Sequence, residues 1–361
     1  MAKSSPLLGL LLAISAPAYA QMPPIPTAER PFAIIRTDPG LDQIVDVGTR
    51  PEIWGTGYGL TEGPLWVDEG RDGYLLFSDL ISNVIYKRTR DGRLSIFLDK
   101  AGYSGNDILH AGFQTKRGRM NVLLIGPNGV TMDKEGRVIW CASPDRTVMR
   151  LEKDGTRTVI ADRYEGKRFG GPNDVVVASD GAIWFTDSST GMRDGGRNPA
   201  REIPFNGVYR VKDGKVQLVV SDKDVPNQWV NGLTFSPDGK YLYLNFGFTR
   251  VDRYEVRADG TVGEPTRFIT GEGSDGMKVD TLGNVYTTTG ALPGEVRITS
   301  PAGKRLGSIQ LPIINAEPKE QICATNVAFG DPDSKGLYIT ACQRIYHLRL
   351  KVAGVRPKVG N

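Results

Sequence analysis

The chain has 361 residues, with 45 Lys and Arg against 41 Asp and Glu, which gives a formal net charge of +4. This near balance gives no electrostatic reason to expect nucleic acid or an anionic membrane surface as a partner. The sequence contains only two histidines and three cysteines, with no C-x-x-C pair, which excludes a His-rich metal site, a zinc ribbon and thioredoxin chemistry. The 44 glycines favour many tight turns over long helices.

Residues 1–20 have the pattern of a secretory signal peptide. A short basic start precedes the apolar stretch Leu7–Ala16, and Ala18-Tyr19-Ala20 matches the small-residue pattern of a cleavage site. The apolar stretch is too short to span a bilayer. We therefore expect cleavage after Ala20 and export to the periplasm or the medium, with no membrane contact in the mature form.

The rest of the chain divides into three parts by composition. Residues 21–40 contain several prolines and are expected to form a flexible lead-in. Residues 41–352 are expected to form a single folded domain, and residues 353–361 a C-terminal tail.

A repeated pattern runs through the predicted domain. Each of six stretches has one polar residue, a short apolar strand, a turn rich in Asp and Gly, and a second strand. The six polar residues are Glu62, Asn128, Asn173, Asn231, Asp275 and Asn326. A period near 40–50 residues with about four strands per unit is typical of a β-propeller. The sequence therefore predicts an all-β fold, a six-bladed β-propeller.

Two further features concern how the propeller closes and what covers it. Either Gln43–Val47 or Pro51–Trp54 is expected to pair into the last blade and so close the ring, which removes an exposed edge. The stretch Asp99–Leu123, which contains His110, is expected to be an excursion that caps one face. His347 falls in a late strand of the last blade, where a structural role is expected.

Two of the cysteines flank a predicted hairpin made of Ala324–Phe329 and Leu337–Ala341. If Val327 pairs with Ile339, then Ala324 faces Cys342 and Cys323 lies one step away. Exported proteins keep disulfides, so a Cys323–Cys342 bridge can form, although one residue of register decides it. Cys141 would then be the odd thiol.

The six polar residues share one place in the repeat. The first strand of each blade lines the channel of a propeller, so these side chains are expected to form a ring that offers only oxygen-bearing groups. Two carboxylates with neutral amides suit a hard divalent cation, and Ca²⁺ fits best. Other divalent cations such as Mn²⁺, Mg²⁺ or Zn²⁺ remain alternatives. Asn and Asp are also ordinary turn formers, which explains any single member better than the whole set.

The motifs also carry a resemblance. They are Glu62-Gly-Pro-Leu-Trp66, Asn128-Gly-Val-Thr-Met-Asp133, Gly171-Pro-Asn-Asp174, Asn231-Gly-Leu-Thr-Phe235, Asp275-Gly-Met-Lys-Val-Asp280 and Asn326-Val-Ala-Phe-Gly330. In order and spacing, residues 45–350 resemble the SMP-30/gluconolactonase/luciferin-regenerating-enzyme family, and in particular its bacterial gluconolactonase branch. The resemblance implies a six-bladed propeller with one catalytic divalent metal, often calcium. It also implies a small-molecule substrate, because many members hydrolyse lactones and some hydrolyse organophosphate esters.

The resemblance also implies roles for particular residues. Metal ligands are expected at Glu62, Asn173, Asn231 and Asp275, and in part of the family the equivalent of Asn173 touches substrate more than metal. Asn128 and Arg168 are expected to bind substrate. For Arg168, a surface position without a role is an equal alternative.

A mechanism follows from this set of residues. The cation would act as a Lewis acid on the lactone carbonyl, and Asp275, in preference to Glu62, would accept a proton from water. No Gly-x-Ser-x-Gly motif supports a covalent route. Two alternatives stay open: hydrolysis of phosphotriesters at the same site, and a propeller without enzymatic activity that binds a protein or a ligand.

Overall fold

Short β-strands separated by tight turns make up nearly all of the regular structure. The computed structural model describes residues 29–108, 111–117, 120–223, 229–290, 293–314 and 322–360. The predicted signal peptide and His110 lie outside these residues. The described helices are three 3₁₀ turns, Pro39–Gln43, Gly195–Arg197 and Gly247–Thr249. No helix in these ranges has the length and apolar character needed to cross a membrane.

The strands of the first half of the chain are β1 (Ala33–Arg36), β2 (Glu52–Val67), β3 (Tyr74–Asp79), β4 (Val84–Thr89), β5 (Leu94–Asp99), β6 (Phe113–Arg117), β7 (Met120–Leu124), β8 (Val130–Met132), β9 (Val138–Ala142), β10 (Thr147–Leu151), β11 (Arg157–Ala161), β12 (Arg163–Tyr164) and β13 (Lys167–Arg168). Those of the second half are β14 (Pro172–Val177), β15 (Ile183–Asp187), β16 (Gly207–Lys212), β17 (Lys215–Ser221), β18 (Val230–Phe235), β19 (Tyr241–Phe246), β20 (Arg250–Glu255), β21 (Thr266–Thr270), β22 (Met277–Val279), β23 (Val285–Thr288), β24 (Glu295–Thr299), β25 (Arg305–Gln310), β26 (Asn326–Gly330) and β27 (Gly336–Arg349).

These strands form antiparallel sheets in which chain neighbours pair. Three sheets have four strands, in the orders β11-β10-β9-β8, β14-β15-β16-β17 and β18-β19-β20-β21. One has five strands, β1-β25-β24-β23-β22, and one has six, β26-β27-β2-β3-β4-β5. The pairs β6-β7 and β12-β13 are separate hairpins. The all-β prediction is therefore confirmed, and the sheets have a propeller-like arrangement.

The prediction of six separate blades is wrong as a count of sheets, because the described residues form five sheets of four or more strands. The repeat units that begin at Glu62 and Asn326 share the six-stranded sheet. They merge because β2 is long: Glu52 pairs with His347 in β27, whereas Trp66 pairs with Leu75 in β3. Of the two segments expected to close the ring, the one around Pro51–Trp54 makes this pairing.

The N-terminal segment is more ordered than the sequence indicated. Residues 21–40 were expected to be a flexible lead-in, but β1 within them pairs with β25, with Ala33 opposite Gln310 and Arg36 opposite Gly307. Leu41, which follows β1, is fully buried in the same apolar cluster as Ile309. The lead-in prediction is therefore wrong for this part of the chain.

Six inner strands surround one axis. Each is in contact with the next around a closed cycle, in the order β2, β8, β14, β18, β22, β26 and back to β2. Apolar clusters fill the spaces between neighbouring units; for example, Leu65 and Leu76 pack with Val130 and Trp140. Burial of these apolar faces is the main force that holds the units together.

The C-terminal segment crosses the far end of the channel. The main-chain N–H groups of Val355 and Gly360 donate to the carbonyls of Val279 (2.9 Å) and Lys134 (2.8 Å). Between them, Arg356 donates to Asp68 at 2.8 Å. This segment and the later residues of the inner strands line a cavity of about 1200 Å³. The predicted tail is thus a strap that connects the first, second and fifth units.

Asp331 is a buried charged group in the last unit. Its carboxylate accepts hydrogen bonds from the Tyr338 hydroxyl (2.8 Å) and Arg349 Nη1 (2.6 Å), and it lies 3.1 Å from Nε2 of His347. Burial alone would raise the pKa of Asp331, but His347, Tyr338 and Arg349 together hold it below its usual range. His347 therefore has a structural partner in the described structure.

Replacing Asp331 by asparagine is expected to lower the free energy of unfolding by about 2 kcal/mol at pH 7, because the buried donors lose a charged acceptor. A depressed pKa stabilises the fold only while the carboxylate is charged, so the difference should shrink as the pH falls below about 4. Urea denaturation at pH 7 and pH 3 measures both effects. Asp333→Asn is the control, because Asp333 also pairs with Arg349 but is 49% exposed. Equal losses in the two variants would contradict the prediction.

Candidate active site

The six polar residues of the repeat lie at the same end of the inner strands. Glu62 lies within β2, Asn173 and Asn231 are the second residues of β14 and β18, and Asn326 is the first residue of β26. Asn128 and Asp275 come two residues before β8 and β22, on the same side. The inner strands surround one axis, so the six positions surround one opening of the channel.

Hydrogen bonds join these residues in two pairs. Nδ2 of Asn231 donates to Oδ1 of Asp275 at 2.7 Å, and Nδ2 of Asn326 donates to Oε2 of Glu62 at 2.9 Å. Oδ1 of Asn326 accepts the N–H of Val327 at 2.9 Å, so both ends of this amide are engaged by the protein. Asn326 is therefore held at both ends of its amide while it contacts Glu62, whereas the described residues show no hydrogen bond to the amide oxygen of Asn231.

The two carboxylates influence each other. Glu62 is only 5% exposed, and its pKa is raised well above the usual value, first by burial and then by the negative charge of Asp275. The N–H of Gly63 and the Asn326 amide oppose this rise only in part. A bound cation would offset both the cost of burying the charged Glu62 carboxylate and its repulsion from Asp275. Burial and repulsion thus both disfavour the charged form of Glu62.

Glycines let the inner strands approach each other at this ring. The N–H of Gly129 donates to the carbonyl of Asn173 at 2.8 Å, and that of Gly232 to the carbonyl of Asp275 at 2.9 Å. A Cβ on Gly129 would lie 2.6 Å from Oδ1 of Asp174, and one on Gly232 would collide with the Asp275 carbonyl. These Asn-Gly pairs therefore serve close approach between strands, not the turns that such pairs commonly form.

Asp174 is a buried carboxylate that does not belong to the six polar positions of the repeat. It follows Asn173 at the position where four of the other units have glycine, and it is 3% exposed. Burial raises its pKa, while Lys278 and the N–H groups of Val175 and Leu233 act in the opposite direction. The signal in the sequence was the break in the glycine pattern.

The loop before Asn173 is fixed by another buried acid. The N–H groups of Gly170 and Gly171 donate to the Asp187 carboxylate at 2.9 and 2.6 Å. Burial raises the pKa of Asp187 to about 6, although these two donors act to lower it. The approach of the chain to Asn173 is therefore held by β15, whose last residue is Asp187.

The two residues expected to bind substrate differ in their surroundings. Asn128 is 9% exposed at the ring, and its carbonyl accepts a hydrogen bond from Ser78 at 2.6 Å. Arg168 lies on the short hairpin β12-β13, and its Nη2 donates to the carbonyl of Asp145 at 2.8 Å. The guanidinium is thus bound to protein at the junction of the second and third units. Its role toward substrate stays a prediction.

A disulfide lies behind Glu62 and Asn326. Cys323 and Cys342 are bonded, with their Cα atoms 5.4 Å apart, and the strands have the register in which Val327 is opposite Ile339. The carbonyl of Cys342 accepts a hydrogen bond of 2.8 Å from the hydroxyl of Thr61, the residue directly before Glu62. Cys141 is a buried free thiol.

The donors at the ring fit a hard cation. Within the described residues, no three His, Cys, Asp or Glu side chains form a cluster that could hold a metal ion. A metal here would be held by the two carboxylates Glu62 and Asp275 together with amide oxygens. Such oxygen donors suit hard cations such as Ca²⁺ and Mg²⁺ better than they suit Zn²⁺.

An all-β, propeller-like ring of sheets with a polar site at one end of its channel defines the class of protein. The chain matches the family model of the SMP-30/Gluconolactonase/LRE-like region over residues 60–343. It therefore belongs to the SMP-30/gluconolactonase/LRE-like family.

Individual relatives agree with this assignment. A gluconolactonase from Zymomonas mobilis is 32% identical over 337 residues, which cover 89% of this chain and 87% of the relative. The solved structure of a gluconolactonase from Xanthomonas campestris is 26% identical, with a TM-score of 0.69 over 91% of this chain and 98% of that one. A calcium-binding regucalcin from Agrobacterium tumefaciens shares the fold, at 18% identity and a TM-score of 0.62 over 87% of this chain and 98% of that one.

Proposed function

We propose that this protein is a lactonase that depends on a divalent cation and opens a lactone ring by hydrolysis. The observation that carries the proposal is the pair of mutually repelling carboxylates, Glu62 and Asp275, each bonded to an asparagine amide at one end of the channel. Family membership and the gluconolactonase names of the relatives support the same activity. In this proposal the six repeat units act as six blades around the site.

The cation proposed is Ca²⁺, held by Glu62, Asn173, Asn231 and Asp275. The oxygen-only donors support it, and Mn²⁺ and Mg²⁺ accept the same donors. Zn²⁺ is less suited, because it prefers His and Cys ligands. When bound, the cation would polarise the lactone carbonyl and stabilise the developing oxyanion.

The polar side chains around the channel opening would then transfer one proton. Asp275, oriented by the 2.7 Å hydrogen bond from Asn231, accepts a proton from the attacking water as the water oxygen bonds to the carbonyl carbon. The ring C–O bond breaks, and the leaving oxygen takes this proton to give the hydroxy acid. Asn128, at the same ring, is placed to contact the substrate.

We also propose that the protein is exported. The signal-peptide pattern of residues 1–20 supports it, and so does the Cys323–Cys342 disulfide, because disulfides persist in oxidising compartments.

Removal of the metal tests the proposal. We expect treatment with a chelator, followed by dialysis, to lower kcat/KM on a panel of lactones by at least about 100-fold, because the carbonyl loses its Lewis acid. Adding Ca²⁺ back should restore activity, and parallel addition of Mn²⁺, Mg²⁺ and Zn²⁺ should rank the cations. A phosphotriester assayed beside the lactones provides the comparison substrate. Full lactonase activity after chelation would contradict metal dependence, and absence of activity on every lactone with each cation would contradict the proposed function.

A further inference from the structure

An insertion between the first two units carries the hairpin β6-β7. At its base, the N–H of Gly102 donates to Oδ1 of Asn83 (2.8 Å) and that of Gly126 to the carbonyl of Leu80 (2.7 Å). Both partners lie in the turn between β3 and β4, at the end of the first unit where Glu62 lies. The hairpin therefore starts from the rim of the candidate site.

The same insertion touches the third and fourth units. Ala111 makes a β-bridge with Met192, and a Cβ on Gly195 would lie 3.3 Å from the Phe113 ring. The ring of Phe113 lies 6.2 Å from that of Trp229, between centroids. The insertion thus extends from the first unit to the fourth, at the end of the sheets that carries the ring of polar residues.

Trp229 is held close to that ring. It lies two residues before Asn231, and its Nε1 donates to the carbonyl of Ser188 at 2.7 Å. Ser188 follows Asp187, which is opposite Pro172, the residue before Asn173. The indole thus lies between the approaches to Asn173 and Asn231. Both Trp229 and Phe113 are only partly buried, so part of each residue remains accessible to solvent.

We propose that Phe113 and Trp229 form an aromatic wall at the mouth of the site that selects lactones with an apolar or aromatic part over polyhydroxylated sugar lactones. This inference rests on the proposed lactonase function. A flat apolar part of a substrate gains contact with the two rings. Hydroxyl groups placed against the same wall would lose water without a replacement hydrogen bond, which carries a cost.

The test compares the same three lactones in each variant, so that differences in their intrinsic reactivity cancel. The probes are 3,4-dihydrocoumarin, which has a fused benzene ring, δ-valerolactone, which is small and unsubstituted, and D-glucono-1,5-lactone. We expect Phe113→Ala to lower kcat/KM for dihydrocoumarin about tenfold, mainly through KM, with less than about a twofold change for the other two. Trp229→Ala should act in the same direction. Trp229→Phe should retain most of the preference for dihydrocoumarin over the other two lactones, because it keeps an aromatic face.

Phe268→Ala is the matched control, because Phe268 is a partly buried phenylalanine on the outer strand β21, packed against Tyr243. This control variant should leave kcat/KM unchanged for all three lactones. Equal losses for the three lactones in Phe113→Ala and Trp229→Ala, with Phe113→Leu equally affected, would show that the contact only supports the fold and would overturn the inference alone. No hydrolysis of any lactone by the metal-loaded wild type would overturn the proposed function and this inference together.

Discussion

Replacing Asp275 by asparagine is expected to lower kcat/KM for lactone hydrolysis about 1000-fold. Two losses add in this variant, because the amide cannot accept the water proton and one of two anionic cation ligands disappears. The shape of the side chain is kept, so the hydrogen bond from Asn231 can still be made to the amide oxygen. Steady-state kinetics at saturating Ca²⁺ measures the loss, and calcium titration calorimetry separates weaker cation binding from slower chemistry.

Asp259→Asn is the matched control for this variant. Asp259 also precedes a glycine, but its carboxylate accepts bonds from Thr261 in an exposed turn. We expect its activity to stay within about twofold of wild type, because surface changes of this kind have little effect. Activity of Asp275→Asn within tenfold of wild type, with normal thermal unfolding, would show that another group accepts the proton.

Loss of the Cys323–Cys342 disulfide is expected to lower the free energy of unfolding by about 3 kcal/mol, which is typical for a loop of this size. The cross-link joins Cys323, three residues before β26, to Cys342 within β27. Cys342 is opposite Thr61, which directly precedes Glu62. Chemical denaturation of Cys323→Ala/Cys342→Ala against wild type measures the difference. Activity should fall as well, because both strands carry or adjoin residues that hold Glu62.

Cys141→Ala is the control, since Cys141 is also fully buried but makes no disulfide. It removes one sulfur atom from the core and should cost about 1 kcal/mol. If wild type under reducing conditions and the double variant were both as stable as oxidised wild type, the bridge would have no stabilising role.

Much of the fold could be predicted because the repeat has a local signal. The six polar positions and the apolar inner strands follow from patterns within a few residues of each other. The register of the last hairpin stays open in the sequence, and the structure sets it by pairing Val327 with Ile339. The sequence offers residues 51–54 as one of two segments that close the ring, and the structure selects this one. What the sequence does not show is that this segment continues into the strand of Glu62, which merges two units into one sheet.

The site shows the same division. The side chains of Glu62 and Asp275 were selected for their type and their spacing. Asp174 stands out only when its position is compared with the glycines at the same position in four other units. The reason for those glycines, the close approach of neighbouring inner strands, is visible only in the structure. The contact between Phe113 and Trp229 joins residues more than a hundred positions apart, and no periodic pattern connects them.

The pairing of β2 with β27 also sets an order in time. The first half of β2 pairs with β27, which lies far later in the sequence, so the six-stranded sheet cannot be completed until β27 has been synthesised. Any shortened product that ends before residue 336 would present the first half of β2 as an open edge, available to other chains. Closure of the ring therefore requires the segment that carries β27.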